Sequence, residues 1–283
     1  MDLVYFKLCL MKKLLYTTLF FFIGISFYYF FNLTHKKSDE KHENNYIFFA
    51  HRGVPYLVEN TEPSFEESLN LGFHCLETDL NFTKDGKIIV FHDNDTKRLL
   101  DTNVIISNTN WNDLKKFKFK NDSSNHKLNI LLFEEFLNKK YAFSLYYLDV
   151  KASPTKKLAN QLLHNLSKVE NLNSYLVADA NILFLSYLKF KNPNIKTVLE
   201  GFKNGKEWYY YLIPIRFRPD YLASNYEDNN EYHISFLKRH NLINNKILYG
   251  INNEEIPSAI KKGFKCFIVE YDSTTNSFLN HLK

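Results

Sequence analysis

Cysteine is scarce in this chain. There are three, Cys9 in an apolar N-terminal region and Cys75 and Cys266 far apart in the main body, so neither a metal-type Cys spacing nor a disulfide framework is indicated. Cys75 and Cys266 are expected as small buried residues. Arginine-rich stretches are also lacking. The formal charge of +5 comes almost entirely from Lys scattered among Asn and acidic residues, which leaves no concentrated footprint for nucleic acid. No glycine-rich phosphate loop follows the first strand-like run, which argues against a doubly wound sheet. No small-residue cleavage site follows the long apolar run near the N-terminus, so that run reads as an anchor rather than a removed signal peptide. The heavy use of Lys, Asn, Ile, Phe and Tyr reads as compositional drift, and the Asn-rich piece at 121–129 is expected as a loop.

What is present begins with that apolar run, LLYTTLFFFIGISFYYFFN at 14–32, uncharged and preceded by Lys12 and Lys13. Its length is about the ~20 residues that a helix needs to cross a bilayer. The expected organisation is a short basic N-terminus at 1–13, a transmembrane signal anchor at 14–32, a polar tether at 33–45 and one domain at 46–283. The basic start favours a cytoplasmic N-terminus, which places the main domain on the non-cytoplasmic side. No obligate protein partner is evident.

Beyond the tether, strand-like runs alternate with helical patterns. The runs are 46–50, 75–79, 88–92, 144–149, 174–179, 196–200, 219–224, 246–250 and 266–270. Alternation of this kind predicts parallel βα units. Between the second and third runs lies only a tight TKDG turn at 83–86, too short for the crossover that a parallel return requires, so residues 80–92 form a hairpin. The remaining eight runs fit a (β/α)₈ TIM barrel, an α/β fold, with that hairpin as a small insertion and one transmembrane helix ahead of it.

In such a barrel the active site lies at the C-terminal ends of the strands. Those ends carry His51 and Arg52, Glu77 and Asp79, His92 on the returning hairpin, and Asp149 with Lys151. Glu77 and Asp79 are two apart on a strand, so they share a face. With Asp149 they would make an all-oxygen site that suits one divalent cation, Mg²⁺ or Ca²⁺. His51 and His92 suit a general acid and base, and Arg52 and Lys151 suit a phosphate whose charge must be held during attack. This set points to phosphoryl transfer at a phosphodiester.

HRG at 51–53, ENT at 59–61, LETDL at 76–80, TKDGKIIVFHD at 83–93 and LDVK at 148–151 together resemble, in order and spacing, the glycerophosphodiester phosphodiesterase family. The resemblance implies a (β/α)₈ barrel and metal-dependent hydrolysis of glycerophosphodiesters to glycerol 3-phosphate and an alcohol. It implies Glu77, Asp79 and Asp149 as metal ligands, His51 and His92 as the acid–base pair, and Arg52 and Lys151 on the phosphate. Glu59 matches the acidic residue of the ENT element and would support the metal or the substrate glycerol. Asp149 stands where the family usually has Glu and, as D-x-K, is similar to spider-type sphingomyelinase D enzymes. VADA at 177–180, YGINN at 249–253 and VEYD at 269–272 depart from the family's later elements, where the substrate's alcohol would be shaped. Two alternatives are a phospholipase D-type phosphodiesterase acting on lysophospholipids and a barrel that binds lipid or phosphate without cutting. The aromatic and basic stretch at 201–221, with Trp208, Tyr209, Tyr210, Tyr211, Arg216 and Arg218, suits either a membrane interface or a helix with a buried aromatic face.

Overall fold

The computed structural model describes residues 2–33, 46–120 and 128–281. Of the expected tether and the Asn-rich loop, residues 34–45 and 121–127 lie outside the described residues. The first helix, α1 (Asp2–Leu33), contains the stretch Cys9–Tyr28, whose mean hydropathy of 1.4 and 20-residue length suffice to cross a membrane. None of that stretch is buried.

Eight parallel strands follow: β1 (Ile47–His51), β2 (Cys75–Phe82), β5 (Leu145–Val150), β6 (Tyr175–Asp179), β7 (Lys196–Leu199), β8 (Tyr221–Asn225), β9 (Lys246–Tyr249) and β10 (Cys266–Val269). Each pairs with the next, and β1 pairs with both β2 and β10, which closes the barrel. The connecting helices include α2 (Glu62–Asn70), α5 (Lys156–Leu166), α6 (Ile182–Lys191), α7 (Glu207–Leu212), α8 (Glu231–Arg239) and α9 (Ile256–Lys262), and α10 (Ser273–His281) follows the last strand. The barrel interior is filled by Phe49, Cys75, Tyr147, Leu176, Val198, Ile247, Cys266 and Ile268, so it is a packed core and not a pore. The alternate residues, such as Phe48, Leu76, Leu148 and Val177, face outward against the helices. Both cysteines of the main body are buried thiols, as expected.

The insertion is larger than a hairpin. Strand β3 (Ile88–Val90) pairs antiparallel with the second half of β2, and a further strand, β4 (Leu131–Leu132), pairs antiparallel with β3. Ile89, Phe91, Leu100, Ile106, Leu114, from the short helix α3 (Trp111–Leu114), and Phe119 form a separate apolar cluster beneath this lobe. Strand β4 is two residues long and runs at once into α4 (Phe133–Asn138), so it has no periodicity of its own to mark it in the sequence. Helix α7 divides its aromatics: Tyr210 is buried with the Arg218 guanidinium 4.4 Å from its ring centre, while Trp208, Tyr211 and Leu212 are exposed.

Candidate active site

Each strand that builds the site runs from an apolar residue inside the barrel to a polar one at its C-terminal mouth. Side chains two apart share a face, so Phe49 leads to His51, Cys75 to Glu77 and Asp79, and Tyr147 to Asp149 and Lys151. The same step leads from Val198 to Glu200, from Ile247 to Tyr249 and from Ile268 to Glu270. His51 pairs in register with Glu77, and Asp79 with Asp149. Of these, His51, Glu77, Asp149, Lys151, Glu200, Tyr249 and Glu270 line, together with Arg52, one cavity of about 430 Å³ at the mouth.

The turn after β1 answers why a strand should end in His-Arg-Gly. Arg52 adopts a left-handed backbone, with φ at 55°, and its N–H donates to the Glu77 carbonyl at 3.1 Å and to Glu77 Oε2 at 3.0 Å. Gly53 follows with φ at 99°, and a Cβ there would lie 2.1 Å from Ser64 Oγ. Only glycine fits a turn that close to α2. The buried Asn60 side chain donates to Asp79 Oδ2 at 2.8 Å and accepts from the Thr78 hydroxyl at 2.7 Å, so the ENT element positions the Asp79 carboxylate of β2.

Glu77, Asp79 and Asp149 are buried, and each offers an oxygen within 4.8 Å of the others. Arg52 Nε lies 3.0 Å from Asp79 Oδ2, a charge pairing whose angle falls short of a hydrogen bond. Lys151 ion-pairs with Asp149 and lies 3.5 Å from Asp79 Oδ1, an oxygen that is buried and receives no hydrogen bond. Burial, then the charges of Asp79 and Asp149, push the Glu77 carboxyl well above the usual range, against the pull of Arg52 and Lys151. Burial, then Glu200, raise the Asp149 carboxyl to about 7. Three clustered carboxylates, with Glu77 and Asp149 pushed toward the acid form, and a buried Asp79 oxygen without a hydrogen-bond donor are the features of an all-oxygen cation site, which fits a hard divalent ion.

The two histidines are each held by a carboxylate. His51 Nδ1 is 2.5 Å from Glu270 Oε1, and its Nε2 is 4.0 Å from Glu77 Oε2, so that edge faces the acidic cluster. His92 Nδ1 is 2.6 Å from Asp93 Oδ1. His92 does not line the central cavity and stands instead at the lobe side, near enough to Glu59 to help lower its carboxyl. Glu59 is engaged: Arg98 donates to its two oxygens at 2.8 and 2.7 Å, and Arg52 at 3.3 Å. Arg98 also donates to both oxygens of Asp93, at 2.7 and 3.0 Å. These bonds outweigh burial and lower both Glu59 and Asp93.

Four contributors went unremarked in the sequence: Arg98, Asn60, Glu200 and Glu270. Glu200 accepts from the buried Tyr147 hydroxyl at 2.7 Å, and burial raises its carboxyl. A second cavity, of about 580 Å³, shares His51, Arg52 and Glu270 with the first and continues between Val54–Val58, Leu99, Phe119 and Leu128.

Residues 51–267 match the family model of the glycerophosphoryl diester phosphodiesterase family. A Bacillus subtilis glycerophosphodiester phosphodiesterase is 25% identical over 226 residues, covering 72% of this chain and 76% of that one. Human lysophospholipase D GDPD1 is 32% identical over 93 residues, 32% of this chain, and the match spans 29% of the human protein's length. Among solved structures, an Oleispira antarctica phosphodiesterase in complex with the product sn-glycerol-3-phosphate superposes with a TM-score of 0.71 at 16% identity, over 83% of this chain and 96% of that one. The Thermotoga maritima glycerophosphodiester phosphodiesterase gives 0.66 at 21% identity, over 86% of this chain and 100% of that one. At such identities the structural likeness is one of fold.

Proposed function

The chain belongs to the glycerophosphoryl diester phosphodiesterase family, and on that premise we propose that it hydrolyses glycerophosphodiesters to glycerol 3-phosphate and an alcohol. Support comes above all from the convergence of three buried carboxylates within 4.8 Å of one another, beside Arg52, Lys151 and His51. Glu77, Asp79 and Asp149 would hold one divalent cation, Mg²⁺ or Ca²⁺. When bound, such an ion supplies positive charge against the phosphoryl oxygens.

The residues of the chain do the rest. Arg52 and Lys151 hold the phosphate, the guanidinium by its fork of donors and the ammonium as a point charge. With the Nδ1 proton of His51 directed at Glu270, Nε2 is the acceptor. It takes a proton either from water, which attacks phosphorus directly, or from the substrate's glycerol 2-hydroxyl, which closes a cyclic phosphate that water then opens to glycerol 3-phosphate. His92, oriented by Asp93, protonates the leaving alkoxide. Glu59 acts through Arg52 and Arg98 rather than by touching substrate. Helix α1 serves as a membrane anchor with the barrel on the non-cytoplasmic side, and the exposed Trp208, Tyr211 and Leu212 suit the interface beside it.

A second reading, lysophospholipid cleavage, is favoured by the 580 Å³ cavity, whose Val54, Leu57, Leu99 and Phe119 offer an apolar path away from His51 and Arg52. Product analysis decides. The full chain in detergent, given glycerophosphocholine and a divalent ion, is expected to release glycerol 3-phosphate and choline. Release only from lysophosphatidylcholine in micelles would favour the second reading, and no release from either would leave a binding barrel.

A further inference from the structure

One flank of the barrel's outer surface is apolar. Among the described residues the barrel domain exposes nine large apolar side chains, and six of them, Leu183, Phe190, Trp208, Tyr211, Leu212 and Tyr232, lie on the successive helices α6, α7 and α8. A barrel helix ordinarily buries one stripe against the strands and turns a polar face to water. Helix α6 departs from that pattern. Leu183 and Phe190, two turns apart, share its outward face at 76% and 58% exposure, with Tyr187 half-buried between them. Lys189 brings no charge to that face, because it is buried and folded inward to Asp220, 2.6 Å away. Helix α7 packs on α8 through Tyr211, whose ring meets Phe236 and whose hydroxyl lies 2.8 Å from His240 Nε2, so the exposed residues of the two helices adjoin. An apolar face shared by adjacent helices marks a contact surface.

Helix α1 indicates what covers it. The Tyr28 hydroxyl, at the end of the apolar stretch Cys9–Tyr28, donates to the Tyr211 carbonyl at 2.5 Å. Helix α1 also packs against the 3₁₀ turn Ile215–Phe217, which α6 contacts as well. A helix leaves the bilayer where its apolar stretch ends, so Tyr28 marks the level of the membrane surface and α7 sits at that level. Trp and Tyr gather at this depth in membrane proteins, and Trp208 and Tyr211 are exposed there. Lys191, 5.7 Å from the Tyr187 ring centre, and Arg216, 5.7 Å from that of Phe217, supply cations that suit lipid phosphates. We propose that the α6–α8 flank is a membrane-docking face, and that its partner is the head-group and upper acyl region of the bilayer that holds α1. The inference rests on the reading of α1 as a membrane anchor and adds to it the orientation of the barrel. Barrel helices return antiparallel to the strands, so Leu183, Trp208 and Tyr232, near helix starts, lie at the mouth end, and Phe190, near the end of α6, lies toward the base. The face thus runs along the barrel. The barrel lies on its side, its mouth opens along the membrane surface, and the lobe inserted after β2, across the closed sheet from β7 and β8, is turned to water.

The chain's two tryptophans provide the test, since Trp208 lies on the flank and Trp111 on the lobe. The full chain is reconstituted into phosphatidylcholine vesicles with and without bromine on the upper acyl chains, which quenches indole emission on contact. In Trp111→Phe, where Trp208 is the sole reporter, brominated lipid is expected to remove on the order of half the emission, and in Trp208→Phe less than about a tenth. Should Trp111→Phe fold poorly, the difference between the unaltered chain and Trp208→Phe isolates the same signal. Leu183→Asp combined with Phe190→Asp should cut Trp208 quenching by about half or more. Flotation and alkaline carbonate extraction report on α1 separately. Carbonate-resistant flotation without Trp208 quenching, or equal quenching of both tryptophans, would overturn the docking face and leave the anchor standing. Trp208 quenching in a chain that carbonate strips from the vesicles would uphold the face and reject the anchor. A chain that does not float would overturn both. Blue-shifted Trp208 emission without quenching, in a chain that light scattering finds dimeric, would assign the flank to a second copy and overturn the proposal.

Discussion

His51, the last residue of β1, and Glu270, the residue after the neighbouring β10, meet at 2.5 Å between Nδ1 and Oε1. The carboxylate fixes one ring nitrogen as the donor and turns the other toward the acidic cluster. His51→Ala is therefore expected to lower kcat by about 10²- to 10⁴-fold with the fold intact, as circular dichroism would report. Glu270→Gln should lower kcat by a smaller factor, about tenfold, with KM little changed. Equal activity of all three proteins in steady-state assays would remove His51 from the reaction.

Arg98 clamps Glu59 and Asp93 together, and through Asp93 it orients His92. Arg98→Lys keeps the charge and loses the fork that holds two carboxylates at once. Both Arg98→Lys and Arg98→Gln should lower kcat by about tenfold or more, with Lys the milder, and added guanidinium should restore part of the Gln variant's rate. A merely structural role would lower the melting temperature without rescue.

The raised carboxyls of Glu77 and Asp149 set a pH dependence. A group whose folded pKa lies above its unfolded value favours folding below the unfolded value, and that contribution is lost as pH rises through the folded one. In chelator, the melting temperature is therefore expected to fall between about pH 5 and pH 8, with Asp149 titrating near 7. A divalent ion should reverse the fall, bind more tightly at the alkaline end and release protons, which calorimetry in buffers of different ionisation heat would detect. A melting temperature that rises across this range in chelator would contradict the assignment.

Gly53 combines φ at 99° with a Cβ position 2.1 Å from Ser64 Oγ and 2.8 Å from the Ser64 backbone. Gly53→Ala should cost about 2–5 kcal/mol, seen in denaturant unfolding, because strain and overpacking add. It should also lower activity, since the same turn aims Arg52. A loss below about 1 kcal/mol would mean that α2 shifts to accommodate the methyl group.

Alternation made much of this legible in the sequence. The eight barrel strands follow from the alternation of strand-like runs with helical patterns, the shared face of Glu77 and Asp79 from the period of two along a strand, and the short TKDG turn marks the run that stands outside the barrel. Glu200 and Glu270 lie one such step beyond Val198 and Ile268, so the same rule reaches them. Nothing else in the sequence marks them, because a lone acidic residue after an apolar run has no neighbouring motif. Arg98 sits in a lobe without periodicity, and its bonds to Glu59 span 39 residues. Asn60 carries a left-handed backbone, with φ at 57°, and its bond to Asp79 appears only once the chain has turned.

The most direct test of the central claim is a divalent-ion titration of glycerol 3-phosphate release from glycerophosphocholine, run on the chelator-stripped full chain and on Asp79→Asn. The account predicts no release by the stripped protein, saturable recovery with Mg²⁺ or Ca²⁺, and a loss of about 10²-fold or more in the variant at every ion concentration. Release at an undiminished rate in chelator, or by Asp79→Asn, would contradict it.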